Sequence, residues 1–231
     1  MKLPLSKRLQ VCSDFVASGD RVADIGCDHG YLGIHLLTQG IASSVIAADV
    51  NEGPLQSAMC NALKYGVRNK MTFHLSDGAQ NIPRDFDTMV CAGMGADTMV
   101  SILDGAPWLK DSCYRLILQC QSKTPILRQY LSEQGWRIAG ESALRDGRFL
   151  YTVMEVTWQP TYPRLTGGEF WFPPVLLENP GPETAEYFRR IYEGLTLAVL
   201  HGDIGEKAQA LAYMNQLAKT PELQWLMEES K

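Results

Sequence analysis

The chain has 231 residues, 45% of them hydrophobic, with 21 Lys and Arg against 26 Asp and Glu and a formal net charge of −5. That mixture excludes wholesale disorder, and the length allows one large domain or one domain with a small appendage, whose core needs no disulfide or metal to hold it. No apolar run approaches the roughly 18 residues of a membrane span, and Lys7, Arg8 and Gln10 break up the N-terminal stretch, so it does not read as a signal peptide.

The six cysteines, Cys12, Cys27, Cys60, Cys91, Cys113 and Cys120, include no C-x-x-C pair. The expectation is therefore a cytoplasmic protein with buried thiols, no disulfide frame, no metal site and no membrane contact. The acidic balance argues against indiscriminate nucleic-acid binding and leaves room for a local basic patch. Residues 1–160 are nearly neutral, with 15 basic and 16 acidic side chains, while residues 161–231 carry 6 and 10.

In chain order, apolar residues at Leu5, Leu9, Cys12, Phe15 and Val16 have helical spacing, with Ser6 as N-cap and Gly19-Asp20 as the stop. Val22–Ile25 then reads as a short buried strand, followed by a glycine-rich turn and a helix over 31–39. Ser44–Asp49 is a second strand, and Pro54 sits in the first turn of a helix that runs to about Tyr65. Met71–Leu75 and Phe86–Cys91 are the third and fourth strands, with a helix over 97–103. Arg115–Gln119 is the fifth, and Thr124-Pro125 opens a helix that Gly135 closes. Residues 136–144 and 148–157 read as two strands joined by a turn at Arg145-Asp146-Gly147.

Strands alternating with helices predict an α/β fold, a mostly parallel seven-stranded sheet covered on both faces, with the last hairpin supplying an antiparallel edge. Six of the twelve prolines fall between Pro160 and Pro182. This stretch, with Phe170, Trp171 and Phe172, reads as a linker whose aromatic residues pack onto the main domain. Beyond it, Phe188, Ile191, Tyr192, Leu195 and Val199, then Ile204, Ala208, Leu211 and Ala212, predict a helical hairpin broken at His201-Gly202-Asp203. The expected organisation is a main domain over 1–158, a linker over 159–182 and a helical unit over 183–231.

Ligands of such sheets bind at the carboxyl ends of the strands. There the chain reads Asp24-Ile25-Gly26-Cys27-Asp28-His29-Gly30. Gly26 lets the backbone turn sharply and approach a ligand, and Gly30 opens a helix with free N–H groups. The dinucleotide fingerprint G-x-G-x-x-G fails, because Asp28 stands at the second glycine position and would repel a pyrophosphate. A carboxylate there suits a ligand bearing an ammonium or a sulfonium; S-adenosylmethionine has both. Asp49, with Val50 beside it, ends the second strand, where an acid accepts hydrogen bonds from ribose hydroxyls. Ser76-Asp77-Gly78 is placed to meet an adenine amino group, and Ala92-Gly93-Met94-Gly95 leaves space where methyl and acceptor would meet.

With Leu5-Ser6-Lys7-Arg8-Leu9, Asp24-Ile25-Gly26-x-Asp28-His29, Ala92-Gly93-Met94-Gly95 and Leu116-Ile117-Leu118-Gln119, the chain resembles the bacterial tRNA (adenine-22-N1)-methyltransferases over residues 5–157. It departs from their usual pattern at Ala96, where they carry glycine, and at Cys120, where they carry proline. The resemblance implies a class I, Rossmann-like methyltransferase fold, S-adenosylmethionine as donor and tRNA as partner.

An exocyclic adenine amine has a delocalised lone pair, and enzymes that methylate it place an Asp/Asn-Pro-Pro-aromatic loop after the fourth strand; that loop is absent here. Ring N1 has an in-plane lone pair and needs no general base, while its cationic product favours a nearby carboxylate. Asp28 is the first candidate for that role, and His29 is a second polar candidate. Gln119 and Gln121 are placed to read the base edge. Lys7, Arg8, Arg189, Arg190 and Lys207 are candidates for phosphate contacts. The alternatives left open are a methyltransferase acting on another RNA or a small molecule, and a non-catalytic RNA-binding module; a nicotinamide-dependent oxidoreductase is disfavoured by Asp28 and the missing fingerprint. Helix capping by Asp28 and an ordinary structural role for His29 or Gln119 are the plain readings to set beside the catalytic ones.

Overall fold

The computed structural model describes residues 3–220 and residue 223. Seven strands form one sheet in the order β3-β2-β1-β4-β5-β7-β6. They are β1 (Arg21–Ile25), β2 (Ser44–Asp49), β3 (Met71–Leu75), β4 (Thr88–Met94), β5 (Arg115–Cys120), β6 (Trp136–Asp146) and β7 (Phe149–Trp158). The first five run parallel, and β7 runs antiparallel to both β5 and β6. It follows that β6 points the same way as β5. The chain order reverses between β1 and β4, which puts the crevice for a ligand at their carboxyl ends.

Strict alternation along the strands divides the core between the two faces. Ala23, Ile25, Met89, Cys91, Leu116 and Leu118 pack with Met99, Ile102, Leu127 and Leu131 of α4 (Ala96–Asp104) and α5 (Thr124–Glu133). Val22, Val45, Ala47, Val90 and Ile117 face α1 (Lys7–Asp14), α2 (Tyr31–Thr38) and α3 (Glu52–Lys64), burying Cys12, Ile34, Leu36 and Ala58. Ser6 caps α1 by accepting the Leu9 N–H at 3.4 Å. Among the described residues, no helix is long and apolar enough to cross a membrane.

The segment read as a linker holds a 3-10 turn, Gly167–Phe170, and a short helix, α6 (Pro174–Leu177). Its Phe172 is fully buried, but against the helical hairpin α7 (Pro182–Leu200) and α8 (Glu206–Leu217): its ring centroid lies 5.4 Å from that of Phe188. The aromatic cluster therefore builds a third core with Leu176, Leu195, Ala210 and Met214, and only its margin, Ala143 and Leu150, belongs to the sheet. The expected helical unit extends to residue 231, and its end beyond 220, residue 223 aside, lies outside the described residues.

One fully buried ion pair ties these parts together. Arg128 of α5 meets Glu141 of β6 at 2.6 Å, with neither side chain exposed. The same guanidinium donates to the Tyr187 hydroxyl of α7 at 3.2 Å and to the Phe170 carbonyl at 2.9 Å. Removing one partner of such a pair strands a buried charge, at a cost of about 3–5 kcal/mol, whereas replacing both with apolar groups is close to neutral. Glu141→Leu should therefore lower unfolding free energy in urea by about that amount, and Arg128→Met with Glu141→Leu should recover most of it.

Candidate functional site

The loop after β1 is shaped by hydrogen bonds to the neighbouring parallel strand. The Gly26 and Cys27 N–H groups both donate to the Ala48 carbonyl, at 2.8 and 2.9 Å. Gly26 has φ +70°, and a Cβ there would overlap the Met94 Cε. Asp28 is also left-handed, at φ +49°, and its N–H donates to Asp49 Oδ2 at 3.2 Å. The Asn51 N–H donates to Asp49 Oδ1 at 3.0 Å. Asp49 is thus clamped by two backbone donors while remaining on the wall of a cavity of about 360 Å³, within the range of small-molecule sites.

Asp24, Asp28, Asp49 and Asp77 line this cavity, and Arg8 is the one Lys or Arg among its lining residues. Asp24 is the most constrained. It is 4% exposed, its Oδ2 has no hydrogen-bond partner, and its other contact is the Gly33 N–H in the first turn of α2. Burial pushes its pKa up to about 7, the Gly33 N–H opposes this, and the Asp49 and Asp28 charges add to the rise. A buried oxygen with no partner on the wall of an open cavity is suited to a cationic group of a ligand.

Most residues expected at the cofactor site come together here: Asp24, Gly26, Asp28, Asp49, Val50, Ser76, Asp77, Gly78, Ala92, Gly93 and Met94 all line the cavity. Some act indirectly. The Ser76 hydroxyl donates to the Gly78 carbonyl at 2.8 Å and accepts the Asn81 N–H at 3.0 Å, so it shapes its loop.

Gly30 and Gly95 do not line the cavity. A Cβ on Gly30 would lie 2.9 Å from that of Ala58, so it is small because α2 and α3 pack closely; Gly95 caps α4, with Ser122 Oγ 3.0 Å from where its Cβ would be. Gln119 is corrected as a base reader. It is fully buried, Oε1 accepts the Gly93 N–H at 3.1 Å and Nε2 donates to the Cys120 carbonyl at 3.1 Å, so both ends are committed to holding the Gly93 turn. Gln121 does stand at the rim, exposed, with Nε2 3.6 Å from the Cβ position of Gly93. His29 is half exposed, with Nε2 3.6 Å from Asp28 Oδ1 and its ring 5.9 Å from that of Tyr31.

Of the expected RNA contacts, Arg8 lines the cavity and pairs loosely with Asp146 at 3.9 Å, and Lys7 faces Glu183 of α7 at 3.7 Å. Arg190 pairs with Glu186 at 2.9 Å, and Arg189 on α7 is half-buried. Lys207 lies beyond the far end of α7, bound to Asp203 at 2.7 Å. The sequence reading missed Tyr31, Leu32, Thr98, Ser101 and Ile102 as cavity residues. The last three are spaced i, i+3, i+4 on α4, a face legible once that helix is assigned.

Asp24 carries a pH consequence. Its folded pKa lies above the ordinary 3.8, so its contribution to stability is greatest below that value and is lost as pH rises through about 7. Asp24→Asn should therefore melt several degrees above wild type at pH 8 without ligand, and the gap should narrow steadily below pH 7 and close only near pH 4, measured by thermal denaturation.

A family model described as a methyltransferase domain matches residues 5–154. The tRNA (adenine(22)-N(1))-methyltransferase of Bacillus subtilis is 30% identical over 154 residues, 66% of this chain and 65% of that protein, so the match spans just under two thirds of the relative. A candidate tRNA (m1A22) methyltransferase of Streptococcus pneumoniae, solved in complex with S-adenosyl-L-methionine, is 30% identical with a TM-score of 0.79, covering 90% of this chain and 99% of that one. A protein of the NADB-Rossmann superfamily from Streptococcus agalactiae is also 30% identical, with a TM-score of 0.79 and coverage of 98% and 97%. With this fold, this rim of carboxylates and these relatives, the chain belongs to the methyltransferase-domain family and, within it, to the bacterial tRNA (adenine-22-N1)-methyltransferases.

Proposed function

We propose that this protein is a cytoplasmic enzyme that methylates N1 of adenine 22 in tRNA with S-adenosylmethionine as donor. The observation that carries the reading is the charge imbalance of the cavity, four carboxylates against one arginine, with the Asp24 Oδ2 buried and unpartnered. A ligand bearing an ammonium and a sulfonium matches that field, and a pyrophosphate does not. The residues fit this donor: Asp24 holds the ammonium, Asp49 keeps lone pairs for the ribose hydroxyls, and Asp77 accepts from the adenine amine.

Bound S-adenosylmethionine supplies a methyl group on a positively charged sulfur. On the acceptor side, Gly93, at φ +86°, presents backbone without a side chain, and Gln119 fixes that turn from behind. No Asp or Asn stands in the Ala92–Gly95 segment to activate an exocyclic amine, which favours a ring nitrogen. N1 carries its own in-plane lone pair, so taking a methyl group, with the S–CH3 electron pair staying on the donor's sulfur, would require no residue to remove a proton. Asp28, exposed at the cavity mouth, stabilises the positive charge that develops on the adenine. His29 orients Asp28 and donates to the base, and Gln121 reads its edge beside Gly93. The nucleotide must leave its stack for N1 to be reached, because the Watson–Crick edge is otherwise hidden.

Incubation with unmodified tRNA and labelled donor, followed by nucleoside analysis, should give label in 1-methyladenosine alone, mapping to position 22. Label in N6-methyladenosine, or in no nucleoside, overturns the reading. Asp28→Asn should lower turnover on tRNA by about tenfold, the scale for one partly solvated electrostatic contact, measured as kcat with saturating donor. Unchanged turnover and donor affinity would remove Asp28 from the mechanism.

A further inference from the structure

The turn joining β6 to β7 lies at the same rim as the cavity. Because β6 runs parallel to β5, its last residue, Asp146, sits at the carboxyl end of the sheet. Arg8 connects the two sites directly, since it lines the cavity and reaches Asp146 at 3.9 Å. Three inter-strand spacings separate β4 from β6, roughly 14 Å within the sheet.

At the tip of this turn the chain reads Gly147-Arg148-Phe149, with Gly147 at φ +61°. Phe149 is 49% exposed, and the Arg148 guanidinium lies 4.8 Å from its ring centroid. Tyr151 follows at 6.0 Å from the Phe149 ring, anchored on the buried core of the α1–α3 face. The surrounding charges are otherwise matched. Arg145 pairs with Glu186, Arg190 with the same Glu186, Lys7 with Glu183 and Arg8 with Asp146. Arg190 also donates to the Arg148 carbonyl at 3.4 Å, which steadies the turn from α7. Among the described residues, Arg148 has no carboxylate partner; its contact is the Phe149 ring.

We propose that this tip is a contact for the RNA strand beside the target nucleotide, with Phe149 stacking on an unpaired base and Arg148 binding a backbone phosphate. The inference rests on the functional reading above and assigns a surface that reading does not use. The charge complementarity is local: an unmatched guanidinium next to an exposed ring offers a base and a phosphate one partner each. The turn is closed by the β6–β7 ladder, which pairs Asp146 with Phe149, and is contacted from α7 by Arg190 through the Arg148 carbonyl, on the same rim of the sheet as the cavity.

The test compares wild type with Phe149→Ala, Phe149→Trp and Arg148→Ala, using one unmodified tRNA transcript that carries adenine 22. Phe149→Ala should weaken tRNA binding by about tenfold, the scale for losing one stacked base, and Phe149→Trp should restore it. Arg148→Ala should reduce the slope of log affinity against log salt by about one. Melting temperature and S-adenosylmethionine affinity should stay at wild-type values in all three. If wild type methylates tRNA and both alanine variants bind it within twofold of wild type, the hairpin contact is overturned while the functional reading stands. If wild type neither binds nor methylates tRNA, the functional reading falls and takes this contact with it.

Discussion

The site depends on carboxylates held close together at the ends of adjacent parallel strands. The register pairs Ile25 of β1 with Ala48 of β2, so Asp24 and Asp49 emerge on neighbouring strand ends. The loop between them adds Asp28, whose own N–H is spent on Asp49. Backbone donors neutralise part of this charge: Asn51 and Asp28 for Asp49, and Gly33 at the start of α2 for Asp24. What is left is a negative field with one buried oxygen unanswered. Folding alone gives no reason for that arrangement, since an unpartnered buried acid costs stability. A cationic ligand does, because its binding supplies the missing partner and lets Asp24 ionise.

The opposite wall of the cavity is built on a different principle. Here the sequence supplies small residues and backbone, and the precision comes from behind. Gln119, wholly buried, spends both ends of its amide on the Gly93 turn and the Cys120 carbonyl. Ala96, where relatives of this kind carry glycine, is fully buried, and its N–H donates to the Ser122 carbonyl at 3.1 Å. Cys120, where they carry proline, is buried, with Sγ 3.0 Å from the same carbonyl. Both departures are thus behind the Gly93 rim, and neither residue lines the cavity. A rim of bare backbone and a floor of carboxylates together are what the proposed reaction requires, a flat acceptor that becomes positive as it is methylated.

Two strands were legible for different reasons: Ser44–Asp49 is a short apolar run buried on both faces, and Met71–Leu75 alternates apolar and polar residues as an edge strand does. Ser44–Asp49 and Met71–Leu75 read from the sequence with the bounds the structure gives. β4 did not, because Ala92-Gly93-Met94 looks like loop, yet pairing with β5 continues through an irregularity to Met94. Glycines posed the opposite difficulty. Gly26 and Gly30 are equally prominent in the motif, but one touches the cavity and the other separates two helices, a distinction carried by Ala58, 28 residues away. Gln119 was misread for a related reason: a polar residue at a strand end looks the same whether it faces ligand or backbone. Long-range partners are invisible to periodicity, so the pairing of Lys7 with Glu183 and of Arg128 with Glu141 had no signature in the chain.

Those pairings bear on how a chain with a net charge of −5 approaches a polyanion. Arg8, on the cavity wall, and its neighbour Lys7 are not bare. Lys7 and Arg8 stand 3.7 and 3.9 Å from carboxylates, distances too long for tight hydrogen-bonded pairs. The Lys7–Glu183 pair is exposed, and such pairs contribute about 0–1 kcal/mol, so exchanging that carboxylate for a phosphate sacrifices little stability. The same carboxylates deny non-specific RNA an uninterrupted basic track. On the proposed function, a tRNA would gain affinity only by placing phosphates at several of these positions and a nucleotide in the cavity at once. Discrimination in such a site comes from the number of simultaneous matches, a property of the folded shape of the RNA, and not from a large positive charge on the protein.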